Sequence, residues 1–399
     1  MVRVGLVAAA AWAVAGAGVA AAETDGEPEL EAAAAVGAGA RCGQPLQAID
    51  LAADLRHGAL ALGLGVRLRL IGDRFAVEDW DEVGDGLAVI RYLEWSHGDA
   101  ERGFGIAAGT LAPLELGTVA DGYTAAIDAD RLHAGVRARA AIDGWSGQVA
   151  LDDAAGPAVI AARADRRVDA FTFGVQGGVD PGAPAAMGTA ALGMFAIDGG
   201  ARTETAAGAA RVASALDGGL AASLAGVGAW LGAGTETRWA GATVAVRVDG
   251  TVGSGGFVPA PFGPLYRVTR AAAGRGMDAP TLVERVRAGD LGGVGGGAAL
   301  RVELLDLARV EAAMRFRPGL GGEARAGVAL PQFRVVQAAA WVAAAPRLGQ
   351  WAAAAELRAP IARRLQTGLE AARLYGTEGL DAPRPVWQVT AWFGVRAGP

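Results

Sequence analysis

Ser96-His97-Gly98 places a hydroxyl beside an imidazole, the two groups from which a serine hydrolase builds its nucleophile. The pair is adjacent in sequence, and adjacent residues of a strand point to opposite faces, so it cannot close locally. No Gly-x-Ser-x-Gly elbow accompanies it. The three histidines, His57, His97 and His133, form no His-x-x-x-His pair, which leaves a zinc site without its usual spacing. Asp79, Asp81 and Glu82, and again Asp152 and Asp153, offer carboxylates for acid–base work or for calcium. Neither group has the Asp-x-Asp-x-Asp-Gly order of a calcium loop, and both read as hydrated loops. Cys42 is the single cysteine, so an internal disulfide or a cysteine-rich metal site is excluded. These readings assign no catalytic residue, no metal and no cofactor.

The arginines are more informative than the nucleophiles. The chain has no Lys, so all 36 basic residues are Arg. Arg67, Arg69, Arg137, Arg139, Arg247, Arg309 and Arg315 recur at every second residue within apolar runs, with Glu311 among them. Between residues 59 and 70 one parity reads Leu60, Leu62, Leu64, Val66, Leu68 and Leu70, and the other holds Arg67 and Arg69 with Ala and Gly. The pattern returns at 131–143, 242–249, 308–317, 351–361 and 386–396. Period two is the signature of strands with two unlike faces. The runs are about 9–13 residues long, the length of a tilted strand that crosses a bilayer. An arginine facing lipid at mid-depth costs about 2–4 kcal/mol, so the charged parity is assigned to the interior. The eight named charges are the expected lumen-lining residues. Two stretches, 282–288 and 361–375, also fit an amphipathic helix.

Composition and compartment agree with strands. Gly and Ala number 62 and 95 of 399 residues, and the net charge is −6 without a basic run, which excludes a nucleic-acid partner. Residues 1–22 carry Arg3, an uncharged apolar run and Ala20-Ala21-Ala22 before Glu23, the layout of a cleaved secretory signal peptide. No later stretch has the length and aliphatic density of a membrane helix. Residues 23–56 are expected to be a periplasmic lead-in, and 57–399 one barrel. At about 20–25 residues per strand with its connection, that gives about 14–16 strands. Trp95, Trp145, Trp230, Trp239, Trp351, Trp387 and Trp392 are expected near the two membrane interfaces.

The longest break in alternation covers residues 250–297. Pro259, Pro261 and Pro264 exclude a central strand there. Backbone without strand partners cannot face lipid, so the segment lies in water or folds into the lumen. In the second case Phe257, Phe262, Tyr266 and Arg267 would narrow a pore.

Long alternating strands, Gly-rich turns and the leader together resemble bacterial outer-membrane β-barrel proteins of the porin-like type. The run Leu116-Gly117-Thr118-Val119-Ala120-Asp121-Gly122-Tyr123-Thr124 is similar to a segment in uncharacterised barrels of GC-rich Gram-negative bacteria. The resemblance implies an all-β, antiparallel up-and-down transmembrane barrel in the outer membrane, without catalysis, which passes or binds small solutes. Its partners would be outer-membrane lipid and small solutes, with a monomer favoured. The competing readings are a barrel enzyme that hydrolyses lipid through Ser96 and His97, and a secreted soluble β-rich binding protein.

Overall fold

The computed structural model describes residues 28–76, 86–87, 89–99, 102–111, 113–124, 133–156, 158–185, 188–273, 279–305, 307–333, 336–376 and 383–398. The expected signal peptide and the acidic residues Asp79, Asp81 and Glu82 lie outside them.

Twenty strands close into one antiparallel circuit. In chain order they begin with β1 (Glu29–Arg41), β2 (Gln44–His57) and β3 (Leu60–Ile71), which carries the two-residue extension β4 (Arg74–Phe75). Next come β5 (Ile90–Gly98) and β6 (Gly103–Gly109), then an inward hairpin of β7 (Leu114–Leu116) and β8 (Ala120–Tyr123) outside the circuit. The wall continues as β9 (Gly135–Ile142), β10 (Trp145–Leu151), β11 (Ile160–Val168), β12 (Phe171–Ala185), β13 (Gly188–Ala207), β14 (Ala210–Ser223), β15 (Val227–Trp239) and β16 (Ala242–Gly253). After a long internal segment follow β17 (Gly293–Leu304), β18 (Ala308–Arg317), β19 (Gly321–Phe333), β20 (Val336–Ala345), β21 (Gln350–Ala362), β22 (Leu365–Gly376) and β23 (Arg384–Ala397). Each strand pairs with its sequence neighbour in the wall, and β23 pairs with β1 from Gln388↔Arg41 to Ala397↔Ala32. Closure removes the sheet edge within a single chain.

Two expectations need correction. The wall has twenty strands, not 14–16, and the expected lead-in supplies β1 and most of β2. Alanine hid the alternation there. In β2, Leu46 and Ala48 are buried, Asp50 and Asp54 bind arginines of the inner wall, and the intervening Ile49 and Leu51 take the other face. The estimate of residues per strand was also too generous, because several connections are two-residue turns. At Asp143-Gly144 both residues have positive φ, 48° and 79°, which matches the right-handed twist of the flanking strands. The helix–strand ambiguity resolves both ways: 282–288 is a helix, and β22 occupies most of 361–375.

The outer surface is aliphatic and aromatic. Val244, Val246 and Val248 of β16 are exposed, as are Leu231, Phe173 and Met314 on other strands. Trp351 and Trp387 meet edge-to-face on this surface with the Arg373 guanidinium 4.0 Å from the Trp351 ring. Trp95, Trp145 and Trp239 are also exposed. Trp230 and Trp392 are not outer-surface residues. Each has the opposite parity to the exposed residues of its strand, Leu231 and Phe393 respectively, so alternation places both rings inside.

Candidate functional site

Two chain segments fold into the barrel from the end opposite the termini. One is the β7–β8 hairpin between β6 and β9. The other joins β16 to β17, and its described residues, 254–273 and 279–292, carry α1 (Tyr266–Thr269) and α2 (Leu282–Ala288). The expected break at 250–297 is shorter than that: residues 250–253 belong to β16 and residues 293–297 to β17. Helix α2 is set by its ends: Thr281 and Glu284 form a reciprocal capping box, and Gly289 closes it at φ 72°. The two segments are stitched together by backbone. Ala260 N–H donates to Thr118 O at 2.7 Å, and Asp121 N–H donates to Phe262 O at 3.1 Å.

The long segment spans the interior and grips opposite walls. Beyond β10, Asp152 accepts from Arg267 Nη2 at 2.6 Å, from the Tyr123 hydroxyl, and from the backbone N–H groups of Ala158 and Val159 at 2.9 Å each. Arg267 also donates to His133 Nε2 at 3.1 Å. A guanidinium can only donate, so Nε2 accepts and the imidazole proton sits on Nδ1, facing Asp153 Oδ2 at 2.8 Å. On β12, Asp180 accepts from the Tyr266 hydroxyl and from Arg270, both at 2.8 Å. Across the barrel, Glu323 of β19 accepts from Leu265 N–H at 3.3 Å and pairs with Arg317 at 2.6 Å. Thr269 donates to Gln350 of β21 at 2.9 Å. Burial raises the Tyr123 and Tyr266 hydroxyls, with the neighbouring Asp152 and Asp180 adding to it. Burial opposes the charge on Arg267, but Tyr123 and Asp152 outweigh it and hold that guanidinium above its ordinary range.

Asp152 and Asp153 are therefore buried anchors and not a hydrated loop. Phe257, Phe262, Tyr266 and Arg267 are brought together, but all four are at most 7% exposed. They hold the segment in place. None of the four borders the open space beside the hairpin, which is lined by the wall and the hairpin.

That space is a cavity of about 380 Å3. Arg163, Arg247 and Arg315 border it from β11, β16 and β18, and Arg325 from β19. Asp198, Asp217 and Asp249 come from β13, β14 and β16, and Glu115 and Asp121 from the hairpin. Arg163 grips Asp198 through two bonds of 2.8 Å. Arg247 meets Asp217 at 2.6 Å. Arg315 lies 3.2 Å from Asp121 and 3.5 Å from Asp249, and Arg325 lies 2.9 Å from Glu115 and 3.1 Å from Asp121. Desolvation by the surrounding barrel pushes the Glu115 carboxyl up to about 7 although its side chain is half exposed, opposed by Arg325 and reinforced by Asp121. Burial also works against ionisation of Asp121, but Arg315, Arg325 and Arg317 outweigh it and hold that carboxyl below its usual range.

The expected lumen residues do not form one site. Arg247 and Arg315 border this cavity. Arg137 and Arg139 border a second one of about 230 Å3 with Tyr92, Glu94 and Ser96. Arg67 binds Asp50 at 2.5 Å and approaches Glu370 at 3.8 Å, and Arg69 reaches Gln388 at 3.5 Å near the β1–β23 seam. Arg309 pairs with Glu311 and lies 3.6 Å from Glu303. Arg163, Arg325, Asp217, Glu115 and Asp121 were not singled out from sequence. Parity marks Arg163 in β11, but nothing in the sequence brings Glu115 and Asp121 to the wall. Ser96 and His97 stand on opposite faces of β5, with Ser96 at the inner cavity and His97 stacked on the outward Trp95. Among the described residues, no group of three or more His, Cys, Asp or Glu side chains is placed to hold a metal.

No family model and no curated protein matches the chain. Among solved structures it is similar to Pseudomonas aeruginosa OccK2 (OpdF) in complex with glucuronate, at 10% identity over 93% of this chain and 98% of that one, with a TM-score of 0.34. It is similar to P. aeruginosa OpdK with vanillate at 8% identity over 93% and 99%, with a TM-score of 0.34. For P. aeruginosa OccK5 (OpdH) the values are 8%, 93% and 98%, and 0.36. At these identities and scores the likeness bears on neither solute nor site.

Proposed function

We propose that this chain is an outer-membrane channel that passes small polar or charged solutes without catalysis. The observation that carries the reading is the cavity of about 380 Å3 between the hairpin and the β11–β19 wall, bordered by guanidiniums and carboxylates together. A closed barrel with an aliphatic outer face suits a bilayer, because its strands satisfy one another's backbone groups around the circuit. Charges of both signs on the inner wall screen solutes by sign and replace part of their hydration. The lipid-hydrolase alternative loses its dyad to strand parity, and the soluble alternative leaves the exposed Val and Leu surface without a solvent that suits it.

The test is conductance in planar bilayers after extraction in detergent, with reversal potential measured across a KCl gradient. A defined single-channel step whose ion preference changes on Arg247→Gln is expected. A folded, inserted protein that carries no current would sink the reading.

A further inference from the structure

The wall pairs beside the cavity share a geometry that alternation alone does not require. Arg163 on β11 reaches Asp198 on β13, Arg247 on β16 reaches Asp217 on β14, and Arg315 on β18 reaches Asp249 on β16. Each pair steps over one intermediate strand. Strands lie about 4.7–4.9 Å apart, so the two anchoring backbones are roughly 10 Å apart. To meet over that distance, the side chains must lie flat along the wall. A glycine lies beneath the meeting heads each time, and at the first pair Gln176, the register partner of Arg163, also donates to Asp198. Gly174 of β12 is the register partner of Asp165 and Asp198. Gly232 of β15 is the partner of Asp217 and Asp249. Gly297 of β17 is the partner of Asp249 and Arg315.

The missing methyl group is what makes room. A Cβ on Gly174 would stand 2.5 Å from Asp198 Oδ1 and 2.8 Å from Arg163 Nη2. On Gly232 it would stand 2.7 Å from Arg247 Nη2 and 3.2 Å from Asp217 Oδ1, and on Gly297 2.9 Å from Asp249 Oδ2. On the far side of the barrel Arg91 reaches Asp54 over β3, where Gly63 is the register partner of Asp54 and a Cβ on Gly65 would strike Arg91 Cδ. The contrast is Arg301 and Glu236, which cross β16 at Ala245. There the carboxylate is Glu, whose extra methylene lets the pair arch over a methyl group.

We propose that Gly174, Gly232 and Gly297 are positioning residues that set the bore of the channel by letting three Arg–Asp pairs lie flat against the wall. This assignment rests on the channel reading above. At Gly174 and Gly232 a methyl group meets the far ends of flexible side chains, and at Gly297 it meets Asp249 Oδ2 at 2.9 Å and the backbone oxygen of Met314 at 3.1 Å, so the wall blocks retreat outward. The charged heads therefore rise into the passage while the barrel still folds.

The experiment compares single-channel conductance of the full chain carrying Gly232→Ala, Gly297→Ala, or both, in symmetric KCl. Gly327→Ala is the control, because that inner-wall glycine has only ordinary contacts, 3.6 Å from Ala340 O and 3.9 Å from Trp341 Cβ. Folding is verified by heat-modifiable migration on gels. The single variants should lower conductance, the double variant should lower it further, and the control should match wild type. In an Arg247→Ala background, Gly232→Ala should lose its effect, because the head it lifts is gone. Unchanged conductance in folded Gly232→Ala and Gly297→Ala would overturn the assignment, as would an equal fall in the Arg247→Ala background. A folded wild type without conductance would overturn the channel reading itself, and this assignment with it.

Discussion

The same Arg–Asp chemistry occurs in two settings inside this barrel, and solvent separates their roles. Arg267 and Asp152 are 6% and 5% exposed at the side chain, whereas Arg247 and Asp217 are 44% and 29% exposed. The buried pair joins a loop to the wall and has its remaining acceptor sites filled by Tyr123 and by backbone N–H groups. The exposed pair joins two strands already held by their ladders. Breaking a buried pair by removing one partner costs about 3–5 kcal/mol, because the other charge is stranded. An exposed pair contributes about 0–1 kcal/mol. The first setting is suited to holding a segment in place, and the second to presenting charge to water.

The largest effect should come from the buried setting. Asp152→Ala removes the only carboxylate seen to pair with Arg267 among the described residues, leaving it neutral partners in His133 and Tyr123, and removes the acceptor for Tyr123. The barrel wall should survive, since its ladders do not involve Asp152, but the segment 254–292 should loosen. Limited proteolysis of the detergent-solubilised protein should then cut within that segment, where wild type resists, and conductance should rise. Unaltered protease resistance would mean that the Asp180, Glu323 and Gln350 contacts suffice, and the division between holding and presenting pairs would need redrawing.

At the exposed setting the prediction reverses in kind. Asp217→Asn removes one negative charge beside the cavity and leaves Arg247 in water. Thermal stability should stay within about 1 kcal/mol of wild type, while reversal potential in a KCl gradient should move toward anion preference. A large loss of stability without a change in selectivity would show that this pair is structural after all.

How far the sequence reveals these two settings follows from what each depends on. The charged inner parity is legible because Arg247 and Asp249 alternate with Val244, Val246 and Val248, and period two fixes the face once one side meets lipid. Trp230 and Trp392 obey the same rule and could have been placed inside by it. The prolines of the long segment are legible for a similar local reason. The strand count was not, because Ala-rich β1 and β2 alternate weakly and Ala favours helix as an isolated residue. The partners of the inward segments were not legible either. Tyr123, His133, Asp152 and Arg267 converge from 123 to 267 in sequence, and no local rule of propensity or periodicity reports such a meeting. In the sequence, clustered glycine signals turns. At Gly174, Gly232 and Gly297 it stands in mid-strand, where close approach of a neighbour is the other reason for it.

The smallest effect belongs to the hairpin, which is neither wall nor anchor. Glu115 sits between Arg325 and Asp121, and desolvation by the surrounding barrel pushes its carboxyl up to about 7 although the side chain is 57% exposed. Below that pH it is protonated and shares its proton with Asp121, which Arg315 and Arg325 keep ionised despite burial. As pH rises through 7, Glu115 loses the proton and adds one negative charge beside the cavity. The sign follows: cation preference should increase with pH across this range, and the change should be a fraction of that produced by Asp217→Asn at any one pH near the midpoint. Glu115→Gln keeps the shape and hydrogen bonding of the protonated acid, so it should fix the low-pH selectivity and remove the step near pH 7. Reversal potentials of wild type and Glu115→Gln, measured from pH 5 to pH 9, decide it. A step of equal size in both proteins would place the titration elsewhere in the lumen and return Glu115 to the anchors, alongside Asp152.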